Sequence, residues 1–407
     1  MPSLSNPTHP KGVSTKRRSL PPSPLPPDDV CAEINAQVRS NAALGAPAFD
    51  FGAHVRTRSY ALHDFHLDEF KVVAFLDDGV AGLLPETFRP PSPCPLYTFD
   101  IDNAGKKGLG MFALRNIPKG GLILVEHPIL VVPYLVGLTT PLAEIYTRMF
   151  DRLTLEGRHE LTRLANSESR DHPPSLEDVV HANAIGIQLD VPDVPNPELA
   201  THRAVFLNTS RCNHSCGPNA QWEWDTPTLS LYLSAVRPIC PGEEITIQYA
   251  PSTRPRHERQ KALRAQYGFT CQCQWCSVPS AEAVLRSDGA RAALDGFWRN
   301  LPAFEEWCLD PTMSDDTLIK LHLGALEMIE QEGLQVLDRE KHVDAIAMCY
   351  GALEDVERFK TWTARVCDAK VRENPSQALV FSKWLSNPMT FPAWGWRKTF
   401  CGSRARV

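Results

Sequence analysis

The 407-residue chain has no apolar run long enough to cross a membrane. Its longest apolar stretch, Leu122 to Leu138, is broken by Glu126, His127, Pro128 and Pro133. That falls short of the ~20 clean residues a spanning helix needs. Positive charge is not in excess: 42 Lys and Arg stand against 48 Asp and Glu, a net charge of −6. The dense basic field that drives general nucleic-acid binding is missing, so no direct nucleic-acid contact is expected. The opening residues, MPSLSNPTHP, contain no apolar segment of the signal-peptide kind. The chain also lacks the small size of a secreted disulfide scaffold. A reducing location is therefore expected, cytoplasmic or nuclear. The 12 cysteines then read as metal ligands before disulfides.

What is present is ordinary globular composition, 43% hydrophobic and 22% charged, with 35 prolines. The length suits two or three domains. Residues 1–94 are expected to be largely disordered or weakly structured. Lys16, Arg17 and Arg18 read as part of a solvated tail, with a nuclear-import signal or a mitochondrial transit peptide as the alternatives, and Leu20 to Pro27 as a polyproline-like run. Two short helices are expected in this region, near Cys31–Arg39 and near Leu67–Leu76. Arg89 to Pro95 reads as a linker. From residue 95 to 249, short β-like runs punctuated by Gly and Pro alternate with a cysteine-free helical insert at about 131–180. Arg254 to Tyr267 reads as a helix. From 281 to 407 apolar residues recur at helical spacing, as in Leu318, Leu321, Ala325 and Ile329. This predicts stacked helical hairpins, TPR-like in texture but without a strict repeat.

Six cysteines lie between Cys212 and Cys276. Cys271-Gln-Cys273-Gln-Trp-Cys276 can bring three thiolates together on one tight loop. A structural zinc site takes four tetrahedral ligands, so a fourth must come from elsewhere. Cys216, in Asn213-His-Ser-Cys216, is the preferred candidate over His214 and Cys212. Such a site leaves no open position for water and is structural. Gly108-Leu-Gly110 alone reads as an ordinary turn, and no Gly-Lys-Ser/Thr makes it a P-loop. Cys212 beside His214 lacks a marked third group for nucleophilic catalysis. Glu243 and Glu244 read as a solvated turn entering a strand.

Four motifs occur in the order of one family. Gly108-Leu-Gly-Met-Phe-Ala113 with Ile117-Pro-Lys-Gly120 comes first. Arg211-Cys-Asn-His-Ser-Cys-Gly-Pro-Asn219 and Gly242-Glu-Glu-Ile-Thr-Ile-Gln-Tyr249 follow. Tyr267-Gly-Phe-Thr-Cys-Gln-Cys-Gln-Trp-Cys276 closes the set. Together they resemble a SET domain, the protein-lysine methyltransferase fold, in its SMYD-like and fungal subgroup. The resemblance covers roughly residues 97–280 well and 281–407 loosely. It implies an α+β fold of short β-sheets with a helical insert, a zinc-bound post-SET element over about 250–280, and an all-α C-terminal region. No second Cys/His cluster stands between residues 131 and 180, so the subgroup's MYND finger is absent. Cys212 occupies a position where the family has an apolar residue.

The resemblance also implies the chemistry. S-adenosyl-L-methionine would be held by Gly108, Leu109, Gly110, Asn183, Ser210, Asn213, His214, Tyr249 and Phe269. Tyr249 would be the catalytic tyrosine, with Tyr267 lining the lysine channel. Zinc would be held by Cys216, Cys271, Cys273 and Cys276. The expected partner is a protein presenting a lysine, acted on by a monomer away from membranes. A catalytically silent SET-fold scaffold is the competing reading, and intact Tyr249, Asn213 and His214 argue against it.

Overall fold

The computed structural model describes residues 59–134, 141–164, 175–191, 200–337, 339–373 and 375–404. The basic tail, the proline run and the helix expected near Cys31–Arg39 lie outside the described residues.

The first described element is a hairpin, where disorder and a helix at Leu67–Leu76 were expected. Strands β1 (Tyr60–Leu67) and β2 (Phe70–Asp77) pair antiparallel, with Leu67 opposite Phe70. Asp68 makes the turn at φ 52°. The physical reason is double burial. Val72, Ala74 and Leu76 enter one core while Val73 and Phe75 enter another. A strand covered on both faces shows a continuous apolar run, and its period of two disappears from the sequence. Asp77 ends β2 and accepts from the N–H groups of Gly79 and Val80, capping the one-turn helix α1 (Asp78–Ala81).

The following strands are β3 (Phe99–Asn103), β4 (Leu109–Ala113), β5 (Leu122–Glu126) and β6 (Leu130–Pro133). Helices α2 (Leu142–Arg152), α3 (Leu155–Thr162) and α4 (Leu176–Asn183) form the insert. Then come β7 (Ile185–Gln188), β8 (Thr201–Val205), the two-residue β9 (Asn213–His214), β10 (Ala220–Asp225), β11 (Ser230–Ala235) and β12 (Glu244–Ile247).

Three sheets result, ordered β1-β2-β6-β8-β7, β10-β11-β5 and β3-β4-β12-β9. One face of the five-stranded sheet packs on the smaller sheets through residues such as Met111, Ile123, Leu231 and Ile245. Its other face carries the insert through Ile145, Tyr146, Met149, Val179 and Val180.

Beyond β12 the described chain is helical: α5 (Arg256–Tyr267), α6 (Ala281–Asn300), α7 (Phe304–Leu309), α8 (Thr317–Gln331), α9 (Arg339–Ala352), α10 (Val356–Glu373), α11 (Pro375–Ser386) and α12 (Trp396–Arg404). Gly268 ends α5 at φ 71°, a left-handed position that suits glycine. Leu318, Ala325 and Ile329 are buried as their spacing predicts, whereas Leu321 faces solvent.

Candidate active site

The site is assembled around β12. Its N-terminal half pairs antiparallel with β4, Glu244 opposite Phe112 and Ile245 opposite Met111. Its C-terminal half pairs in parallel with β9, Thr246 opposite Asn213 and Ile247 opposite His214. This crossing brings two segments a hundred residues apart onto one strand. Asn219 knits the join. Its Nδ2 donates to the Glu244 carbonyl at 2.8 Å, and its Oδ1 accepts from the Thr246 N–H at 2.7 Å.

At the β4 end, Asn213 Nδ2 donates to the Leu109 carbonyl at 3.1 Å and to Glu244 Oε1 at 2.8 Å. Lys107 pairs with the other Glu244 oxygen. The acidic pair is therefore engaged, where a solvated turn was expected. Glu243 likewise accepts from Arg237 at 2.6 Å. A Cβ on Gly110 would meet Ala104, Glu244 and Asn213 at 2.9–3.0 Å, so the packing excludes it. Gly108 differs. It sits at φ 80°, and a Cβ there would meet nothing within 4 Å. Its backbone borders open space, beside half-exposed Leu109.

At the other end of β12 the rings gather. Tyr249 lies 4.8 Å from Tyr267 and 6.5 Å from Phe269, centroid to centroid, and Tyr267 and Phe269 are 6.4 Å apart. His214 is 5.4 Å from Tyr249 and 6.2 Å from Phe269. The end of α5 supplies Tyr267, and the turn after it supplies Phe269. Tyr249 Oη donates to the Cys212 carbonyl at 2.7 Å. Burial pushes the Tyr249 and Tyr267 phenols above their ordinary range, so both stay neutral. Burial also lowers His214 to about 4, so its ring is neutral as well.

Directly behind this wall lie the four sulfurs. Cys216, Cys271, Cys273 and Cys276 place their Sγ atoms within 4.8 Å of one another. Cys216 Sγ is 3.9 Å from Cys271 Sγ and 3.5 Å from Cys276 Sγ. Tetrahedral zinc with ~2.3 Å bonds separates its sulfurs by roughly 3.8 Å, so the donor set fits. Cys212 stands apart, fully buried with its thiol on Met111 Sδ at 3.6 Å, and it does not compete for the cluster.

The helical region reaches into this loop. Arg291 of α6 is fully buried, bonded to the Cys216 carbonyl at 3.1 Å and to Glu332 Oε2 at 2.8 Å. The Trp275 ring fills the space where a Cβ on either Gly217 or Gly333 would fall.

Ser210 and Asn183 form a neighbouring pair. Ser210 Oγ donates to the Asn183 carbonyl at 3.0 Å, and Asn183 Nδ2 donates to Val179 O at 2.7 Å within α4. The main chain from Ser210 to His214 links this pair to the rest.

A family model described as "SET domain" matches residues 108–250. The chain carries a SET domain of the SMYD-like and fungal type. Histone-lysine N-methyltransferase set5 of Schizosaccharomyces pombe is 28% identical over 286 residues, 69% of this chain and 82% of its own. Protein-lysine N-trimethyltransferase SMYD5 of Danio rerio is 42% identical over 87 residues, 21% of each chain. The putative SET domain-containing protein L678 of Acanthamoeba polyphaga mimivirus is 29% identical over 194 residues, 42% of this chain and 74% of its own. The likeness thus spans most of the fission-yeast protein and a fifth of SMYD5. The fold is the α+β SET fold of short mixed sheets, followed by an all-helical C-terminal region.

One residue of this SET domain escaped the sequence reading. Glu126 is buried, and its carboxylate accepts from the Asn208 N–H at 2.7 Å and Nδ2 at 3.1 Å. It also accepts from the Thr209 N–H at 2.8 Å and Oγ1 at 2.7 Å. It fixes the turn that leads into Ser210 and Asn213. In the sequence it looks like a charge interrupting a strand, and only its place before His127-Pro128 marks the strand's end.

Proposed function

We propose that this protein is an S-adenosylmethionine-dependent protein-lysine N-methyltransferase whose site runs from Gly108 to the Tyr249–Tyr267–Phe269 wall. The relatives named as histone- and protein-lysine methyltransferases support the reaction class. The observation that carries the reading is the placement of neutral aromatic groups between a glycine-bordered opening and a four-cysteine cluster.

S-adenosylmethionine supplies a methyl group on a sulfonium, transferred by in-line displacement to an amine. The residues fit its binding. The Gly108 backbone borders open space that a side chain would fill. Asn213 spends its Nδ2 on Leu109 and Glu244, which orients its Oδ1 as an acceptor for a cationic ligand. Leu109, Gly110, His214 and Phe269 complete the wall, and Ser210 and Asn183 shape its far side. Zinc on Cys216, Cys271, Cys273 and Cys276 is structural: with four thiolates it offers no open position. It anchors the loop that carries Phe269 and Trp275.

The lysine must reach this wall as a neutral amine, although its ordinary pKa is ~10.4. An apolar aromatic channel disfavours the ammonium and helps that proton leave. Tyr249 donates its own proton to the Cys212 carbonyl, so its Oη faces the channel as an acceptor. It can orient an amine N–H without contributing a charge. Tyr267 narrows the channel beside it. Catalysis is then mainly positioning and exclusion of water.

The substrate is a protein presenting a lysine, histone or non-histone, met by a monomer in the cytoplasm or nucleus. No described helix is long and apolar enough to cross a membrane. Calorimetric titration of S-adenosylmethionine into zinc-loaded protein tests the reading. One site per chain is expected, and a flat titration would leave only a scaffold.

A further inference from the structure

Arg203 is a guanidinium that makes no ion pair among the described residues and whose charge reaches Tyr267 of the ring wall. It sits on β8, opposite Val132 of β6 and Gly186 of β7. Its neighbour Ala204 enters the core of the small sheets, whereas Val205 packs with the insert helices. By strand alternation Arg203 shares the Val205 face, where the insert begins. The guanidinium lies over the Tyr134 ring, 4.8 Å from its centroid. Its Nε is buried without a hydrogen-bond partner. The two Nη atoms are not sealed off in this way, so the outer edge of the fork is open. Its charge also acts on Tyr267, favouring the ionised phenol against the larger effect of burial.

A guanidinium carries five donors in a planar fork shaped for a carboxylate. Holding one partly desolvated, with its fork open and Glu177 and Asp178 of α4 near but not within ion-pair distance, costs free energy that a bound anion would return. The lysine substrate is the group that must come to this place. We propose that Arg203 is a specificity-determining residue that receives the carboxylate of an Asp or Glu close in sequence to the target lysine. This rests on the methyltransferase reading and adds a substrate class to it: lysines with an acidic neighbour.

The test uses full-length protein and synthetic peptides with one lysine in a neutral background. A Glu is placed in turn at each of the three positions on either side, and each peptide has a Gln counterpart. At one position the wild-type enzyme should prefer Glu over Gln by about tenfold in kcat/KM. Arg203→Gln should bring that ratio to about one, and Arg203→Glu should bring it below one. The ratio is read within each variant, so any loss of folded protein cancels. S-adenosylmethionine affinity should be unchanged in both variants.

An equal ratio in wild type and Arg203→Gln overturns the inference. So does a loss of cofactor affinity with the ratio unchanged, since the cofactor's own carboxylate would then be the partner. Transfer to extract proteins but to no peptide overturns the inference alone, because a local carboxylate is held to suffice. No cofactor binding and no transfer to anything overturns the methyltransferase reading itself.

Discussion

The main-chain N–H of Tyr249 donates to Nδ1 of His214 at 3.0 Å. Nδ1 is thereby the acceptor, and Nε2 carries the hydrogen. That nitrogen faces Cys216 Sγ at 3.3 Å. One neutral ring thus ties the cysteine cluster to the strand end that presents Tyr249. The cysteine loop and the aromatic wall are coupled by a side chain whose two nitrogens are both committed.

Replacing Tyr249 with Phe keeps the ring contacts to Tyr267 and Phe269 and removes only the hydroxyl on the Cys212 carbonyl. Methyl transfer should fall by about 10²-fold or more, the scale of a lost positioning contact. The melting temperature should move by no more than a few degrees. Full activity in a folded Tyr249→Phe protein contradicts the role given to that hydroxyl.

The cysteine cluster should hold one zinc per chain, counted by elemental analysis. Cys276→Ser, or a strong chelator, should release it. Without the metal the loop under Trp275 and the Arg291 contact to Cys216 lose their anchor. Melting should drop by roughly 10 °C, equivalent to several kcal/mol for a protein of this size, and transfer should cease. A metal-free protein with unchanged melting would mean the four sulfurs need no ion.

The hallmark segments 211–219, 242–249 and 267–276 were legible because chemistry demands particular residue types there. Sulfur ligands, small residues at close approaches and aromatic walls leave marks in a sequence. Helices α8 and α10 were legible because only part of their surface is buried, so their period survives. The hairpin of β1 and β2 was not: Val72 to Leu76 is buried on alternating sides by two cores, and no period remains. The contacts of Arg291 and Trp275 with the cysteine loop were invisible for another reason. They join residues 41 to 75 positions apart, and nothing local distinguishes a buried arginine from a surface one.

Glu126 should act on the cofactor side. Glu126→Gln keeps the shape but turns an NH₂ toward donors on Asn208 or Thr209. Such a mismatch costs about 1–3 kcal/mol. S-adenosylmethionine should bind roughly tenfold more weakly, measured by calorimetry, while zinc content stays at one. Unchanged cofactor affinity would limit Glu126 to a purely structural part.

Acid should destabilise the fold through buried histidines. Burial lowers His202 to about 4 from its ordinary 6.5, and lowers His322 to about 4 as well. The folded state holds these rings neutral. Their contribution is therefore complete above about pH 6.5 and is lost as pH falls toward 4, by about 3 kcal/mol at most for His202. Urea unfolding across that range should show the decline, and His202→Asn should reduce its slope. A flat profile between those limits contradicts the assignment.

The most direct measurement is transfer of a labelled methyl group from S-adenosylmethionine to lysines of extract proteins, comparing wild type with Tyr249→Phe at equal zinc content. Label on lysine with the wild-type protein, and little or none with the variant, is the predicted result. No label with wild type, or equal label with both, would contradict it.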